Sequence, residues 1–516
     1  MNGAELLLKA AAASGIEYCF ANPGTTEIPL VAAIAKGHAP SLKPILSLFE
    51  GVCTGAADGY GRISGKPAMT LTHLGPGFAN GIANLHNARR ANTPIVNVIG
   101  DHASWHVNYD PPLASDIEAL AGAVSGWVRT SRQAERVGED LQCAMQAAWQ
   151  PRGQIASLIL PMDLQGHSVS EAAARFAPVQ APVRRFAGDQ VEQVARALKD
   201  GKRLVFIVGD AGLSAEGLQA AGRLAQLPGI RLFAETFPRI SHRGGGLPDL
   251  DRLPYFPEVA IEILEQYDGV VCAGVPEPIS YFGYEGIPSR LAPRESLLSL
   301  AEMGDDVVGA LWALADALDA PACVAVEQGI DLPSAEASLT PQSVGQVLSA
   351  ALPEDCIVSI EGGTCGYPFF TASARAARHR VLTNTGGAIG QGIPAGFGAA
   401  LAEPGTPVFC LQSDGSAQYT IQTLWSIARE QLPVVILIAA NHRYAILQNE
   451  LRRYGVTEFG PQALALTELD CPRVDWKALA KGYGVPASTV RTNAELRLAL
   501  THAAASKAPC LIEMEL

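Results

Sequence analysis

Two oxygen-bearing side chains follow neighbouring apolar strands in the C-terminal part of the sequence. Asp414-Gly415-Ser416 comes directly after the apolar run that starts at Val408 and before a helix predicted at Gln418–Gln431, and Asn441 ends the next apolar run, which starts at Val434. Carboxylate and amide oxygens are ligands that Mg²⁺ prefers, and the free N–H groups at the start of a helix bind phosphate oxygens. The spacing therefore predicts a metal-bound diphosphate. The residues alone leave a second interpretation open, an ordinary capped helix start.

Glu50 and His73 are the candidate acid–base residues of the N-terminal part. Glu50 closes an apolar strand and opens a helix rich in Ala and Gly. A carboxylate at that place is either a favourable helix-start charge or a desolvated acid that shares a proton with a ring nitrogen. His73 follows a strand and precedes the turn Gly75-Pro76-Gly77, which favours proton transfer near a ligand over simple packing.

A third candidate is the glycine-rich stretch Thr385–Pro394, in which glycines surround the branched side chain of Ile389. Glycine lets the backbone approach a flat ligand closely, although tight helix packing also explains such a run. The stretch therefore predicts a backbone surface against a flat ligand, with helix packing as the alternative.

The candidate residues can act together only if secondary-structure elements place them at the edges of sheets. Short apolar runs alternate with helical stretches along the whole chain, which is the pattern of parallel sheets with helices on both faces. Two segments lack this pattern and are rich in Pro and small residues, Ala177–Arg185 and Asp331–Gln342, and they predict linkers. We therefore expect three doubly wound α/β domains, at residues 1–170, 185–325 and 340–516.

The composition limits the classes of partner. The 516 residues include 38 Lys and Arg against 51 Asp and Glu, a net charge of −13 that repels nucleic acids and anionic lipid. No apolar run reaches the roughly 18 to 20 residues that a bilayer requires, and the N-terminus lacks the basic region and cleavage site of a signal peptide. We expect no nucleic-acid partner, no membrane attachment and a cytoplasmic location.

The order Asp-Gly-Ser, helix, strand, Asn resembles the metal and diphosphate motif of enzymes that depend on thiamine diphosphate (ThDP). The resemblance implies a pyrimidine-binding, a central and a diphosphate-binding domain, in that order. It also implies that Asp414, Asn441 and the backbone carbonyl of Arg443 bind Mg²⁺. Ser413 replaces the Gly that usually precedes the Asp, and Ala440 replaces a first Asn. Neither is a ligand side chain, so the expected metal ligands are retained.

Further motifs extend the resemblance over essentially the whole chain. By family analogy, Ile389 supports the bent cofactor and the carbonyl of Gly387 accepts a hydrogen bond from its aminopyrimidine. The strand that ends at Glu50, followed by Ala56-Ala57-Asp58-Gly59-Tyr60-Gly61-Arg62, is similar to the segment of the activating glutamate, which hydrogen-bonds the pyrimidine ring. The residues assigned to the cofactor in this way are Gly24, Glu50, Gly387, Ile389, Asp414, Gly415, Ser416 and Asn441.

Within this family the sequence resembles benzoylformate decarboxylase and the acetolactate-synthase-like large subunits. The turn Asn22–Glu27 is shared with the decarboxylase, which implies active-site roles for Thr25 and, in proton transfer, for His73. Phe282 stands where a second histidine of the decarboxylase is expected. The run that starts at His73 with Leu-Gly-Pro-Gly is closer to the synthases, although the central domain has no dinucleotide fingerprint, so FAD is not expected.

The resemblance implies an enzyme that acts on a 2-keto acid by decarboxylation, carboligation or both, through an enamine intermediate on ThDP with Mg²⁺. One alternative is an acetolactate-synthase-like carboligase that makes acetolactate from pyruvate. The other is a non-catalytic paralogue that retains the fold. Because the first and third domains of such proteins bind opposite ends of one cofactor across a subunit contact, a homodimer is the minimum and a homotetramer is expected.

Overall fold

A computed structural model describes all 516 residues and contains three α/β units, each built on its own sheet. The three sheets confirm the predicted fold class, and the residue boundaries of the domains stay a prediction. No helix combines the length and the apolar character needed to cross a membrane.

The first unit is a six-stranded parallel sheet with helices on both faces. Its strands are β1 Tyr18–Asn22, β2 Lys43–Leu46, β3 Ala68–His73, β4 Ile95–Asp101, β5 Trp127–Thr130 and β6 Ile155–Pro161, and its helices are α1 Gly3–Ala13, α2 Ile28–Ala35, α3 Glu50–Ser64, α4 Leu74–Arg90, α5 Ile117–Gly122, α6 Val137–Ala148 and α7 Met162–Gly166. The strand order is β2-β1-β3-β4-β6-β5. Glu50 begins the helix after β2 and His73 ends β3, so both residues lie at the carboxyl edge of this sheet.

The central unit is a smaller parallel sheet. The elements of this part of the chain are β7 Leu204–Val208, β8 Ile230–Ala234, β9 Ser241–Arg243, β10 Gly269–Ala273, β11 Leu297–Ala301, α8 Gly188–Lys199, α9 Ala215–Leu224, α10 Pro257–Leu264 and α11 Val307–Ala317. Four of the strands form the sheet, in the order β11-β10-β7-β8. At the glycine turn after β7, the carboxylate of Asp210 accepts hydrogen bonds from Arg184 and Arg239 at 3.2 and 3.5 Å.

The third unit carries the C-terminal candidates. Its elements are β12 Cys356–Ile360, β13 His379–Thr383, β14 Val408–Ser413, β15 Val434–Ala440, β16 Ala487–Val490, β17 Cys510–Glu515, α12 Pro341–Ala351, α13 Gly363–Ser373, α14 Gly392–Ala402, α15 Asp414–Ala417, α16 Thr423–Arg429, α17 Ala445–Arg453, α18 Pro461–Thr467, α19 Trp476–Gly482 and α20 Asn493–Ser506. The order of the sheet is β16-β17-β15-β14-β12-β13-β9.

Two features of the third unit differ from the sequence-based expectation. Strand β9, from the central part of the chain, pairs antiparallel with β13 and covers an edge that would otherwise expose unpaired N–H and C=O groups. The helix predicted at Gln418–Gln431 is wrong at its start, because α16 begins only at Thr423 and residues 418–422 separate it from α15. In the break between them, the hydroxyl of Thr420 donates a hydrogen bond to the carbonyl of Gly390 at 2.9 Å.

Helices α3 and α14 join the first and third units at very close range. A Cβ atom at Gly59 would lie 1.9 Å from the carbonyl oxygen of Ala395, and one at Gly398 would lie 1.8 Å from the carbonyl oxygen of Ala56. Only residues without a side chain fit at both positions, so the glycines of these helices serve helix packing between the units.

A buried ion pair on α3 connects all three units. Asp58 and Arg62 are fully buried, and two nitrogens of the guanidinium donate to the two carboxylate oxygens at 2.9 and 2.6 Å. The remaining hydrogen-bond partners of the pair are Thr93 in the first unit, Arg239 in the central unit, and Thr383, Thr385 and Gln391 in the third unit. Because the partners satisfy both charges, the pair fixes the position of α3 against the other two units.

The contact between α3 and α14 predicts a strong effect of a single methyl group. Gly398→Ala should lower the free energy of unfolding in urea, followed by circular dichroism, by about 1 to 3 kcal/mol, because its Cβ meets backbone that cannot move aside. The control is Gly482→Ala at the end of α19, where the added Cβ meets nothing within 4 Å. Equal stability of the two variants would contradict the close packing of the units.

Candidate functional site

Asp414 and Asn441 lie next to each other at the carboxyl edge of the third sheet. Each follows a strand, β14 and β15, and these two strands pair directly, with Ser413 opposite Ala439. The Asp414 side chain is only 5% exposed, and its oxygens accept hydrogen bonds from the backbone N–H groups of Gly415 at 2.8 Å and His442 at 2.6 Å. Burial raises the pKa of the Asp414 carboxyl, and the N–H groups of His442 and Gly415 partly oppose this shift.

The donor set around Asp414 fits a hard cation that also binds phosphate. The oxygen of the Asn441 side chain accepts a hydrogen bond from the N–H of Arg443 at 3.2 Å, while its nitrogen donates to the hydroxyl of Thr364 at 3.4 Å. The carbonyl of Arg443 accepts no backbone hydrogen bond. No three His, Cys, Asp or Glu side chains cluster as a complete metal site. Carboxylate, amide and carbonyl oxygens with the rest supplied by phosphate and water is the arrangement that suits Mg²⁺.

The two departures from the family motif are accommodated by the surrounding structure. The hydroxyl of Ser413 lies against Gly362, where a Cβ atom would approach it to 2.5 Å, so a glycine on the neighbouring strand end makes room for this serine. Ala440 is completely buried within β15. Next to them, Gly415 faces the ring of Tyr444, at 2.4 Å from the position of a Cβ, and the hydroxyl of Ser416 donates to the carbonyl of Ser413.

The glycine-rich stretch forms a turn between β13 and α14, and a partly buried carboxylate holds it. Glu361, directly after β12, accepts hydrogen bonds from the N–H groups of Gly390, Gln391 and Gly392 at 2.5, 3.2 and 2.9 Å. Burial raises the pKa of Glu361, although these N–H groups act in the opposite direction. The side chain of Ile389 is 43% exposed at the surface of this turn.

Helix α4 of the first unit clamps the same turn through two asparagines. Asn87 donates to the carbonyl of Ala388 at 2.8 Å and accepts from its N–H at 3.0 Å. Asn84 donates to the carbonyl of Gly390 at 3.2 Å and to that of Gly51 at 2.7 Å. One amide therefore bridges the residue after Glu50 and the residue after Ile389, which fixes the two predicted pyrimidine contacts relative to each other within the chain.

Glu50 is the first residue of α3 and is buried, with 7% of its surface exposed. The side chain of Asn80, from α4, donates to one of its carboxylate oxygens at 3.0 Å. A Cβ atom at Gly77 would lie 2.9 Å from the other oxygen and 3.3 Å from the Cβ of His73. Because Gly77 has no Cβ, only a methyl-sized space lies between the Glu50 carboxylate and the Cβ of His73.

His73 is held by a buried carboxylate that the sequence interpretation did not single out. Its Nδ1 lies 2.8 Å from Glu27 and 3.1 Å from the hydroxyl of Thr26, and the same hydroxyl donates to the second oxygen of Glu27. Because a carboxylate only accepts hydrogen bonds, Nδ1 carries the proton and Nε2 is free to bind a ligand. The glycine at Gly24 is required here, because a Cβ would lie 2.4 Å from the His73 ring.

The structure brings together some of the predicted site residues and leaves others apart. Glu50 and His73 are neighbours, and so are Asp414 and Asn441, whereas Thr25 is exposed and makes no side-chain hydrogen bond. The functional groups that the sequence interpretation missed are Thr26, Glu27, Asn80 and Glu361. Glu27 was visible as the last residue of the turn Asn22–Glu27, and Glu361 as an acid between a strand and two glycines, which are the signals that could have identified them.

An aromatic cluster of the central unit approaches the glycine-rich turn. The hydroxyl of Tyr281 lies 2.3 Å from where a Cβ of Gly387 would be, and Gly387 has a positive φ of 76° that favours glycine. Tyr281 packs against Phe237 and Tyr255, and against Phe282, which is 56% exposed. The position expected for a second histidine therefore carries an accessible aromatic ring.

Two family models match the chain, one at each end. The model described as "Thiamine pyrophosphate enzyme, N-terminal TPP binding domain" covers residues 1–121, and that described as "Thiamine pyrophosphate enzyme, C-terminal TPP binding domain" covers residues 364–514. Thiamine pyrophosphate is another name for ThDP. The first region contains Glu27, Glu50 and His73, and the second contains Asp414 and Asn441.

Full-length relatives and solved structures agree with these matches. IlvX of Mycobacterium tuberculosis, whose name gives acetolactate synthase large subunit as a provisional assignment, is 46% identical over 516 residues, 100% of this chain and 99% of the relative. Benzoylformate decarboxylase of Pseudomonas aeruginosa is 30% identical, over 97% of this chain and 96% of the relative. The ThDP-dependent 4-hydroxybenzoylformate decarboxylase of Rhodococcus jostii RHA1 has the same fold, with a TM-score of 0.87, 23% identity, and coverage of 100% of this chain and 99% of that one.

The edge of the first sheet that carries Glu50 and the edge of the third sheet that carries Asp414 both fall within the matched regions. Since a relative at 46% identity also spans the whole chain, this protein belongs to the thiamine-pyrophosphate-dependent enzymes related to benzoylformate decarboxylase and acetolactate synthase.

Proposed function

We propose that this enzyme uses ThDP and Mg²⁺ to decarboxylate a 2-keto acid. It then protonates the carbon that has lost CO₂, which gives an aldehyde. The observation that carries the proposal is the pair of His73 and Glu27, held 2.8 Å apart and separated from Glu50 by the space of one methyl group. This supports His73 as a proton donor near Glu50, the predicted activating carboxylate. The relative at 30% identity is named for decarboxylation of benzoylformate.

The residues that would hold the cofactor lie at the two sheet edges. Asp414, Asn441 and the carbonyl of Arg443 would bind Mg²⁺, and Gly415 with Ser416 would contact the diphosphate. The pyrimidine end would meet Glu50, Gly24, the carbonyl of Gly387 and the side chain of Ile389. When bound, ThDP supplies a nucleophilic carbon and an acceptor for the electron pair that remains after loss of CO₂.

The side chains of the first unit manage protons around the reacting carbon. Asn80 orients the carboxyl of Glu50, which would exchange a proton with the pyrimidine ring of the bound cofactor. Glu27 fixes the ring of His73, so that Nε2 is the atom that gives a proton to the product or takes one from it. The exposed hydroxyl of Thr25 is a further proposed contact of the substrate.

A second candidate is carboligation, as in acetolactate synthase. Its specific support is the aromatic side chain of Phe282 where a second proton-donating histidine is expected, together with the provisional name of the relative at 46% identity. With one histidine instead of two, capture by a second carbonyl compound competes better with protonation. A non-catalytic paralogue is the third candidate. The absence of FAD stays a prediction.

We propose a homodimer at minimum, and a homotetramer as the working state, in the cytoplasm. The support for assembly is that the cofactor end near Ile389 leaves large apolar side chains exposed, among them Tyr419, Ile446 and Leu447. A second copy of the chain would cover them.

The experiment that tests the proposed function is CO₂ release by the holoenzyme from pyruvate, benzoylformate and branched 2-keto acids, with product analysis. Release of CO₂ with formation of the aldehyde supports decarboxylation. Formation of acetolactate from pyruvate identifies the carboligase instead. If no keto acid in the panel releases CO₂ from protein loaded with ThDP and Mg²⁺, the non-catalytic candidate takes their place.

Replacement of Glu27 should reduce turnover without weakening substrate binding. Glu27→Gln keeps the shape of the side chain but removes the charge that orients His73, so kcat should fall about a hundredfold while KM changes little. The matched control is Glu17→Gln, because Glu17 is about half exposed, pairs with the equally exposed Lys66 and accepts one hydrogen bond from the buried Tyr60, and it makes no contact with His73. Unchanged kcat for Glu27→Gln, or a similar loss for Glu17→Gln, would contradict the proton-transfer role of this pair.

Variants at the two ends of the cofactor should complement each other if one site is shared by two chains. Glu50→Gln and Asp414→Asn should each abolish turnover when expressed alone. Co-expressed, they should regain about a quarter of the wild-type activity, because half of the dimers are mixed and each mixed dimer has one intact site. Activity that stays absent in the co-expressed sample would mean that each site is built within a single chain.

A further inference from the structure

A second cavity lies away from the site described above, between the central and third units. Its volume is about 800 Å³, and β8 with the segment after β9 forms one wall while α13 forms the other. Its charged lining consists of Arg231, Arg243, Arg252, Asp249 and Asp251, which sum to one uncompensated positive charge in a chain of net charge −13.

The uncompensated charge belongs to Arg252. Arg231 pairs with Asp251 at 2.5 Å, and Arg243 pairs with Asp249 at 2.7 Å and also donates to the carbonyl of Phe370. No carboxylate pairs with Arg252, and its guanidinium donates no hydrogen bond within the chain. Arg252 is partly buried, and this burial lowers its pKa to about 10.

The guanidinium of Arg252 is held in one orientation. Its backbone is fixed against β8, because the N–H of Ala234 donates to the carbonyl of Asp251 and the N–H of Leu253 donates to the carbonyl of Ala234. The side chain crosses to α13 and stacks over the rings of Phe370 and Tyr367, with 4.2 and 4.9 Å to the ring centres. Stacking leaves the N–H groups at the edge of the guanidinium free for a planar anion.

We propose that this cavity binds a small organic carboxylate with a flat apolar body, its carboxylate paired with Arg252. A partly desolvated cation without a partner costs free energy, and a bound anion would remove that cost. The other walls, among them Phe233, Tyr255 and Tyr267, offer rings and apolar surface to the body of the ligand. One positive charge in excess matches a monoanion.

This binding site is separate from the proposed catalytic site but shares a helix with it. Phe370 and Thr364 both lie on α13, six residues apart, which is about 9 Å along the helix axis. Thr364 contacts the proposed metal ligand Asn441. The inference rests on Arg252 and its surroundings and does not depend on which reaction the enzyme catalyses.

The test is calorimetric titration of sodium benzoate into the full-length holoenzyme and into three variants. Arg252→Met should weaken one benzoate binding event about tenfold or more, since it removes a charged hydrogen-bond partner. His73→Ala keeps this event, which separates it from binding at the catalytic site. The control Arg223→Met removes an arginine that also stacks on a ring, Trp312, but already pairs with Asp316 outside the cavity, and it should leave the affinity unchanged.

Thermal unfolding of the same variants separates loss of benzoate binding from a loss of folding stability. Benzoate should raise the Tm of the wild type and of Arg252→Lys more than that of Arg252→Met, and ligand-free Arg252→Met should be at least as stable as the wild type. Benzamide, which lacks the charge, should bind much more weakly than benzoate. Equal binding of benzoate and benzamide, no benzoate binding, or a lower Tm of Arg252→Met without any benzoate effect on the wild type would overturn the proposal.

Discussion

The buried pair of Asp58 and Arg62 is the constraint on which the arrangement of the three units depends. Two charges without solvent are costly, and the cost is offset only because every part of the pair finds a partner, in the first, central and third units alike. The pair fixes α3 against α14, and the glycines at the crossing allow the two helices to meet backbone to backbone. The start of α3, where Glu50 lies, is thereby set relative to the glycine-rich turn before α14.

Each chain thus carries two sheet edges with different chemistry, and in the proposed homodimer the two edges that share one cofactor come from different chains. The edge of the first sheet carries the two groups proposed to exchange protons, Glu50 and His73. Each is hydrogen-bonded by a second side chain, Asn80 and Glu27 respectively. The edge of the third sheet collects the oxygen atoms that would bind the proposed cation. The asparagines of α4 tie the two edges together by holding the turn that carries Ile389. Orientation and proton transfer fall to the protein, as in cofactor enzymes generally.

The sequence was sufficient to predict the positions of candidate site residues that lie at the ends of strands. Asp414 and Asn441 could be placed side by side because consecutive parallel strands expose their carboxyl ends at the same edge, and the three sheets followed from the alternation of apolar runs. It was insufficient where a role depends on contacts across the fold. Glu27 acts on His73 only because Gly24 and Gly100 leave room for the two side chains, and neither this space nor the pairing of β9 with a distant sheet has a local signal.

In the proposed function, the third sheet holds the cofactor through a metal ion bound by Asp414, Asn441 and Arg443. This is tested most directly by calorimetric titration of ThDP into the apoprotein, once with Mg²⁺ and once with EDTA. We expect binding with Mg²⁺ that becomes at least about a hundredfold weaker in EDTA, because the metal ion would link the diphosphate to the oxygen ligands of the sheet. Binding of equal strength in both solutions, or no binding in either, would contradict it.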